Sequence, residues 1–137
     1  MTRAVIDTNV WVAGLLSVGG PPARVVDAAL SGLVVPVLSP AILAEYEDVL
    51  HRRELSLPLG DVDAVLTYLR LPGEHVIHVD PIEVEPVCAD PDDDVFLAAA
   101  VEGGAVFVVT GNTGHFPRSP WRGIRIIEPR GFIDLIE

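Results

Sequence analysis

Short apolar runs alternate along the chain with longer amphipathic segments. Five runs are almost continuously apolar, as is typical of strands buried on both faces of a parallel sheet: 4–6, 33–38, 76–79, 105–109 and 123–127. Segments with apolar residues at helical spacing alternate with them: 10–16, 23–30, 40–53, 61–71, the stretch from the acidic residues 90–94 to Gly103, and 132–136. The alternation predicts one α/β domain over residues 1–137, a three-layer α/β/α sandwich with a mainly parallel central sheet.

Local signals support several of these boundaries. Ser39 followed by Pro40 predicts a helix start, with a hydroxyl cap and a proline at the first helical position. Gly103 and Gly104 predict the end of the acidic helix. Pro36 lies inside the second apolar run and indicates an edge strand or a bulge there, because proline cannot donate to a sheet ladder.

The acidic run at residues 90–94 leads directly into an apolar helix. Pro91 keeps Asp90 out of helical conformation, and Asp92 or Asp93 can cap the helix, so these three carboxylates are interpreted as residues of the helix start. Asp94 differs, because helical phase places it on one stripe with Leu97, Ala98 and Val101. A buried charge at that position requires a cation, a hydrogen-bond cluster or water.

Four polar residues converge if the sheet is parallel. Asp7 follows the first strand, Asn112 follows the strand at 105–109, and Asp94 begins a helix. Glu45 and Glu47 lie on the two margins of the helix that begins at Pro40, and helical phase does not choose between them. Ligands of such sheets bind outside the carboxyl ends of the strands. Carboxylates clustered there need a counter-cation, and hard oxygen ligands suit Mg²⁺ or Mn²⁺.

The charge balance limits the possible partners. The formal net charge is −11, all nine basic residues are arginine, and residues 1–110 carry five arginines against seventeen acids. Such a surface repels nucleic acid, so a polyanionic substrate would need bound metal and a local arginine rim.

Other features point to a soluble, cytoplasmic protein. No apolar run reaches the length of a membrane span, and no signal peptide precedes the first strand, so no membrane association is expected. Cys88 is the one cysteine and is interpreted as a packing residue.

Four segments together resemble the PIN domain family, especially toxins related to VapC. They are 5–10 (Val-Ile-Asp-Thr-Asn-Val), 39–45 (Ser-Pro-Ala-Ile-Leu-Ala-Glu), 90–100, and 108–112 (Val-Val-Thr-Gly-Asn). The resemblance implies a Mg²⁺- or Mn²⁺-dependent ribonuclease that hydrolyses RNA phosphodiester bonds. It also implies the toxin half of a toxin–antitoxin pair, with a cognate antitoxin as partner and a homodimeric assembly.

The resemblance also assigns residues. It implies that Asp7, Glu45 and Asp94 bind metal, and it selects Glu45 over Glu47. Asn112 stands where the family has a fourth acid; it can still ligate metal or position water, and its alternative role is to shape a turn.

Further candidates surround the predicted site. Thr8 and Thr110 can bind a phosphate, orient carboxylates or cap the local backbone. Asn9 can hold Asp7 or cap a helix. His115, Arg118 and Arg122 are candidate RNA contacts, with Trp121 available for base stacking, or else solvated loop residues.

Other classes fit the residues less well. A receiver domain needs a lysine, and the chain has none; a haloacid-dehalogenase-type phosphatase needs a second acid where Asn9 stands; and there is no phosphate-binding loop of the P-loop type. The alternative that remains is a degenerate PIN domain acting as a non-catalytic RNA- or protein-binding module, favoured by Asn112 and by the net charge.

Overall fold

Five parallel strands form one central sheet in the computed structural model, which describes all of residues 1–137. The strands are β1 (Thr2–Ile6), β2 (Val34–Leu38), β3 (Ile77–His78), β4 (Phe107–Val109) and β5 (Arg125–Ile127). Their order in the sheet is β3-β2-β1-β4-β5, and every neighbouring pair is parallel. This arrangement confirms the predicted α/β fold and places β1 at the centre of the sheet.

Six helices flank this sheet. They are α1 (Thr8–Leu16), α2 (Pro21–Leu30), α3 (Pro40–Leu50), α4 (Leu59–Arg70), α5 (Pro91–Gly103) and α6 (Pro129–Ile136). Helix α5 packs on β1, β2 and β4, whereas α2 packs on β2, α1 and α6. None of the six helices is long and apolar enough to span a membrane. One cluster of buried apolar side chains connects the sheet with the helices, and its largest fully buried members include Trp11, Tyr46, Phe96 and Phe132.

The predicted position of β2 was wrong. β2 is an inner strand, buried along its whole length, with β1 on one side and β3 on the other. Pro36 is accommodated because β3 pairs only with Val37 and Leu38, so on that side the ladder begins after the proline.

The predicted boundaries of two helices also need correction. Helix α3 ends at Leu50 and not at 53, because a separate 3-10 turn follows at Arg53–Leu55. Asp90, and neither Asp92 nor Asp93, caps α5: its Oδ1 accepts the backbone N–H of Asp92 at 2.9 Å. Ser39 caps α3 as predicted, accepting the N–H of Ile42 at 3.3 Å.

Candidate metal centre

Asp7 lies at the carboxyl edge of the sheet, directly after the central strand β1. Its backbone N–H donates to the carbonyl of Val109 at 2.9 Å, which continues the β1–β4 pairing by one residue and fixes the Asp7 backbone between the two strands. Its side chain is 8% exposed, and its Oδ2 accepts the Thr110 hydroxyl at 2.7 Å. A carboxylate is therefore held rigidly at the strand ends.

Burial is the main influence on the pKa of the Asp7 carboxyl. It raises the pKa of this carboxyl above its usual value, while the Thr110 hydroxyl and the backbone amides of Thr8 and Asn9 lower it. The charge of Glu45 raises the pKa again. The ionised form of Asp7 is thus destabilised by poor hydration and by a neighbouring anion, and a bound cation would relieve both effects.

Glu45 faces this edge from helix α3. The Thr8 hydroxyl, which follows Asp7 in the chain, donates to Oε2 of Glu45. Glu47 lies two residues further along the helix and instead forms an ion pair with Arg70, with Oε1 at 2.9 Å from Nη2. The structure therefore distinguishes Glu45 from Glu47, which helical phase could not do. Glu45 is the glutamate whose charge raises the pKa of Asp7.

Asp93 brings a third carboxylate toward Asp7. Burial raises the pKa of the Asp93 carboxyl, and the charges of Asp7 and Asp90 raise it further. Its Oδ2 lies 3.9 Å from Nδ1 of His115, and this neighbouring imidazole lowers the pKa of Asp93. Among the carboxylates of the acidic run, Asp93 is the one whose ionisation is coupled to Asp7.

Asp94 has a different environment from its neighbour. Its Oδ1 accepts two backbone N–H groups, from Val87 at 3.0 Å and from Cys88 at 2.6 Å. These hydrogen bonds, that of Cys88 first, lower the pKa of the Asp94 carboxyl. Of the three explanations expected for a buried charge here, the structure contains a hydrogen-bond cluster, and Asp94 anchors the preceding loop to the first turn of α5.

Asp7 is the carboxylate common to two interactions, since Glu45 raises the pKa of Asp7 and Asp7 raises that of Asp93. No arginine ion pair of the chain involves any of these three carboxylates. No group of three carboxylate, imidazole or thiol side chains is close enough to hold one ion by direct ligation alone, and the predicted set Asp7, Glu45 and Asp94 is not brought together in that way. Mg²⁺ commonly takes one or two carboxylates and keeps several waters, so a hard divalent ion fits this set of donors.

Comparison with known proteins decides the family. The sequence profile of the PIN domain matches residues 3–114, a span that contains all three carboxylates. The chain belongs to the PIN domain family. PIN domains are nuclease-type domains that typically use divalent metals. The chain is also 30% identical over 110 residues to an uncharacterised protein of Methanocaldococcus jannaschii, covering 80% of this chain and 70% of that relative.

Sequence reasoning missed Asp93, although its helical phase contained the signal. Positions 93, 96, 97, 100 and 103 form one stripe of α5, and the four that follow Asp93 on this stripe are buried. The stripe chosen for Asp94 ends at Val101, which is 49% exposed. Extending the stripe over the whole length of the helix, beyond its first two turns, would have made Asp93 a candidate beside Asp94.

The threonines of this PIN domain act on its carboxylates. Thr8 is bonded to Glu45 and Thr110 to Asp7, and both are buried, so both threonines orient carboxylates. Thr110 also caps the local backbone, because its hydroxyl accepts the N–H of Asn112. The side chain of Asn9 neither bonds to Asp7 nor caps a helix: its Oδ1 accepts the backbone N–H of Gly111 at 3.3 Å, and Asp7 is the N-cap residue of α1.

Asn112 lies on the exposed loop after β4. Its backbone N–H donates to the Thr110 hydroxyl at 3.0 Å, and its carbonyl accepts the N–H of His115 at 3.0 Å. Asn112 therefore precedes a 3-10 turn at Thr113–His115, and its side chain does not cap that turn. Its backbone shapes the loop, and a role for its amide toward metal or water stays a prediction.

The two predicted arginine contacts differ in their surroundings. Arg118 is exposed and forms no ion pair. Arg122 pairs with Glu85 at 2.6 Å and stacks on the ring of Trp121 at 4.8 Å. It lines a groove of about 880 Å³ between α5 and the loop at 81–86, and none of the three carboxylates lines this groove. This groove is thus separate from the candidate centre.

Proposed function

We propose that this PIN domain is a Mg²⁺- or Mn²⁺-dependent endoribonuclease, with the ion held by Asp7, Glu45 and Asp93 partly through its coordinated waters. The observation that carries the proposal is the position of the buried Asp7 carboxylate at the sheet edge, where the next residue, Thr8, donates to Glu45 and no arginine pairs with Asp7, Glu45 or Asp93. The charge of Asp7 also raises the pKa of Asp93. This set differs from the set implied by the sequence, because Asp93 replaces Asp94 as the third ligand.

Side chains of this domain would orient the metal-binding carboxylates and contact the incoming substrate. A bound ion would lower the pKa of a coordinated water and neutralise charge on the phosphoryl oxygens. Thr110 and Thr8 keep the Asp7 and Glu45 carboxylates in fixed positions. The exposed imidazole of His115, 3.9 Å from Asp93, lies where it can donate a hydrogen bond to a phosphate oxygen, and the unpaired guanidinium of Arg118 adds positive charge on the same loop.

The finer parts of the proposal rest on the resemblance to toxins related to VapC. They are the toxin role, a cognate antitoxin, a homodimer and a cytoplasmic site of action. Binding of RNA at a surface of net charge −11 also requires the ion, because otherwise the substrate meets mostly negative charge.

Two glutamates on one helix provide a matched test. Cleavage of a labelled single-stranded RNA is measured in Mn²⁺ and in EDTA for the unchanged protein, Glu45→Gln and Glu47→Gln. We expect cleavage only with metal, a loss of about 100-fold or more in Glu45→Gln, and near-normal cleavage in Glu47→Gln. The expected loss exceeds the 10- to 100-fold effect typical of residues that only orient ligands, and an exposed ion pair such as Glu47–Arg70 contributes little to stability.

Equal activity in EDTA and Mn²⁺, or equal activity in the two glutamate variants, would contradict the proposal. Metal-independent RNA binding without cleavage would instead support the non-catalytic binding module.

A further inference from the structure

The proposed ligands Asp7 and Glu45 come from segments 38 residues apart, and two side-chain hydrogen bonds connect those segments: that of Thr8 to the Glu45 carboxylate itself, and one from Tyr46 to the backbone. Tyr46 follows Glu45 on α3, and its hydroxyl donates to the carbonyl of Ile6, the residue that precedes Asp7. We propose that Tyr46 is a positioning residue that holds the Asp7 and Glu45 carboxylates in register for one ion. The inference rests on the proposed metal centre.

The hydrogen bond is well placed for this role. Ile6 is the last residue of β1, and the main contacts of helix α3 are with α1, α4 and α5. The Tyr46 hydroxyl therefore provides a direct link between α3 and the end of β1, one residue from each ligand. Since displacements near 1 Å at a reacting centre can cost about 100-fold in rate, a link at this point matters more than one elsewhere.

The surroundings of Tyr46 keep this link in one geometry. The side chain is 1% exposed, and its ring packs edge-on against Trp11 of α1 with ring centroids 5.9 Å apart. This packing holds the hydroxyl against the carbonyl of Ile6.

The chain contains a matched control for this hydrogen bond. Tyr68, its only other tyrosine, also donates its hydroxyl to a backbone carbonyl, that of Ala29 at 3.1 Å. That bond joins α4 to α2 and involves neither segment that carries a proposed ligand. Tyr46→Phe and Tyr68→Phe thus remove the same chemical group and keep the same ring, and both variants are expected to fold because no packing volume is lost.

The experiment compares Mn²⁺ affinity with metal-free stability in the two variants. Affinity is measured by calorimetric titration with MnCl₂, and stability by urea denaturation in EDTA. We expect both variants to show a lower denaturation midpoint, and only Tyr46→Phe to bind Mn²⁺ more weakly, by about 10-fold, the lower end of the effect of removing an orienting group. RNA cleavage by Tyr46→Phe should then recover when the Mn²⁺ concentration is raised about 10-fold, because only occupancy was lost.

The outcomes separate the two proposals. If the unchanged protein binds Mn²⁺ and Tyr46→Phe binds it equally well, the role of Tyr46 is overturned and the metal centre stands. An equal loss of affinity in Tyr68→Phe would also overturn it, since general loosening of the fold would then explain the effect. If the unchanged protein does not bind Mn²⁺ at all, the proposed function fails, and the inference about Tyr46 fails with it.

Discussion

At the scale of single residues, Asp93 and Asp94 show how two adjacent carboxylates acquire opposite properties. Asp93 is coupled to other anions, and the pKa of its carboxyl is raised first by burial and then by Asp7. Asp94 accepts two backbone N–H groups, and the pKa of its carboxyl is lowered. The first residue destabilises the metal-free fold when it is ionised, whereas the second stabilises it.

Matched substitutions should therefore give opposite results. We expect Asp93→Asn to leave the metal-free free energy of unfolding unchanged or higher, because repulsion is removed, and to lose the stabilisation given by Mn²⁺. Asp94→Asn should lower the metal-free free energy of unfolding by about 1–3 kcal/mol, because two amides lose an anionic acceptor, and should keep the response to Mn²⁺. Urea denaturation of both variants with and without MnCl₂ is the measurement.

The effect of Asp94 should also depend on pH. Its folded-state pKa is depressed, so its contribution is present above the unfolded value of about 3.9 and is lost as the pH falls through the folded value. The difference in stability between the unchanged protein and Asp94→Asn should close in acid. If instead Asp94→Asn lost the response to Mn²⁺ and Asp93→Asn kept it, the ligand set implied by the sequence would be the right one.

Prediction from the sequence was least successful for the roles of single residues. Asp7 could be selected because a carboxylate at the end of a buried strand must lie at the carboxyl edge of the sheet. Glu45 could be selected only through the family resemblance, since its phase on α3 matched that of Glu47 equally well. The choice between Asp93 and Asp94 depends on about 100° of helix rotation, and the amides that engage Asp94 belong to an irregular loop that leaves no pattern in the sequence.

At the scale of secondary-structure elements, a close contact with β2 positions α5, the helix that carries Asp93. Gly103 is the last residue of α5 and lies on the same stripe as Asp93. A Cβ atom at Gly103 would come within 2.3 Å of Cγ1 of Val37, a fully buried residue of β2. The missing side chain thus allows α5 to lie close to the sheet along the stripe that ends in the proposed ligand.

Gly103→Ala should destabilise the protein, although alanine normally favours a helix. We expect a loss of about 1–3 kcal/mol in the free energy of unfolding, because the stiff Val37 side chain cannot move away, and weaker Mn²⁺ binding, because α5 carries Asp93. Gly60→Ala in α4 is the control: its Cβ meets nothing within 4 Å, and it should stabilise by about 0.4–1 kcal/mol. Urea denaturation and Mn²⁺ titration of the two variants test this.

A stabilising effect of Gly103→Ala similar to that of Gly60→Ala would show that α5 has room to shift. Destabilisation without any change in Mn²⁺ affinity would show that this contact does not affect the position of Asp93.

The order and type of the elements could be predicted because buried parallel strands and amphipathic helices leave distinct periods in the sequence. The inner position of β2 in the sheet could not be predicted. Proline disturbs pairing on only one side of its strand, so it does not require an edge strand. β3 is only two residues long, and it pairs with β2 after Pro36. Sequence reasoning could not foresee so short a neighbour.

At the scale of the whole molecule, the net charge of −11 creates an alternative explanation for any effect of metal. An acidic surface collects divalent ions diffusely, and this atmosphere can stabilise a fold without a specific site. The candidate centre differs from that surface because Asp7 is buried and the raised pKa values of Asp7 and Asp93 come mainly from burial. The dependence of the metal effect on pH and on salt concentration should therefore distinguish a specific site from a diffuse ion atmosphere.

The sign of the pH effect follows from the raised pKa values. Without metal, the folded state favours protonated Asp7 and Asp93, so their contribution to stability is present in acid and is lost as the pH rises through the folded-state values. An ion at the centre takes the place of those protons. The gain in melting temperature from 1 mM MnCl₂ over 1 mM EDTA should consequently be small at about pH 4.5 and larger at about pH 7.5, since Mn²⁺ and protons compete for the same carboxylates.

Salt then distinguishes the centre from the surface. The screening length falls from about 10 Å at 0.1 M salt to about 3 Å at 1 M, so a diffuse ion atmosphere loses most of its effect while directly bound ions are screened much less. We expect most of the gain at pH 7.5 to persist in 1 M KCl. Asp93→Asn should lose the gain at both salt concentrations, whereas Glu83→Gln, which neutralises an exposed acid outside the centre, should keep it. A gain that disappears in 1 M KCl, or that both variants retain equally, would assign the metal effect to the acidic surface and remove the main support for a metal centre at Asp7.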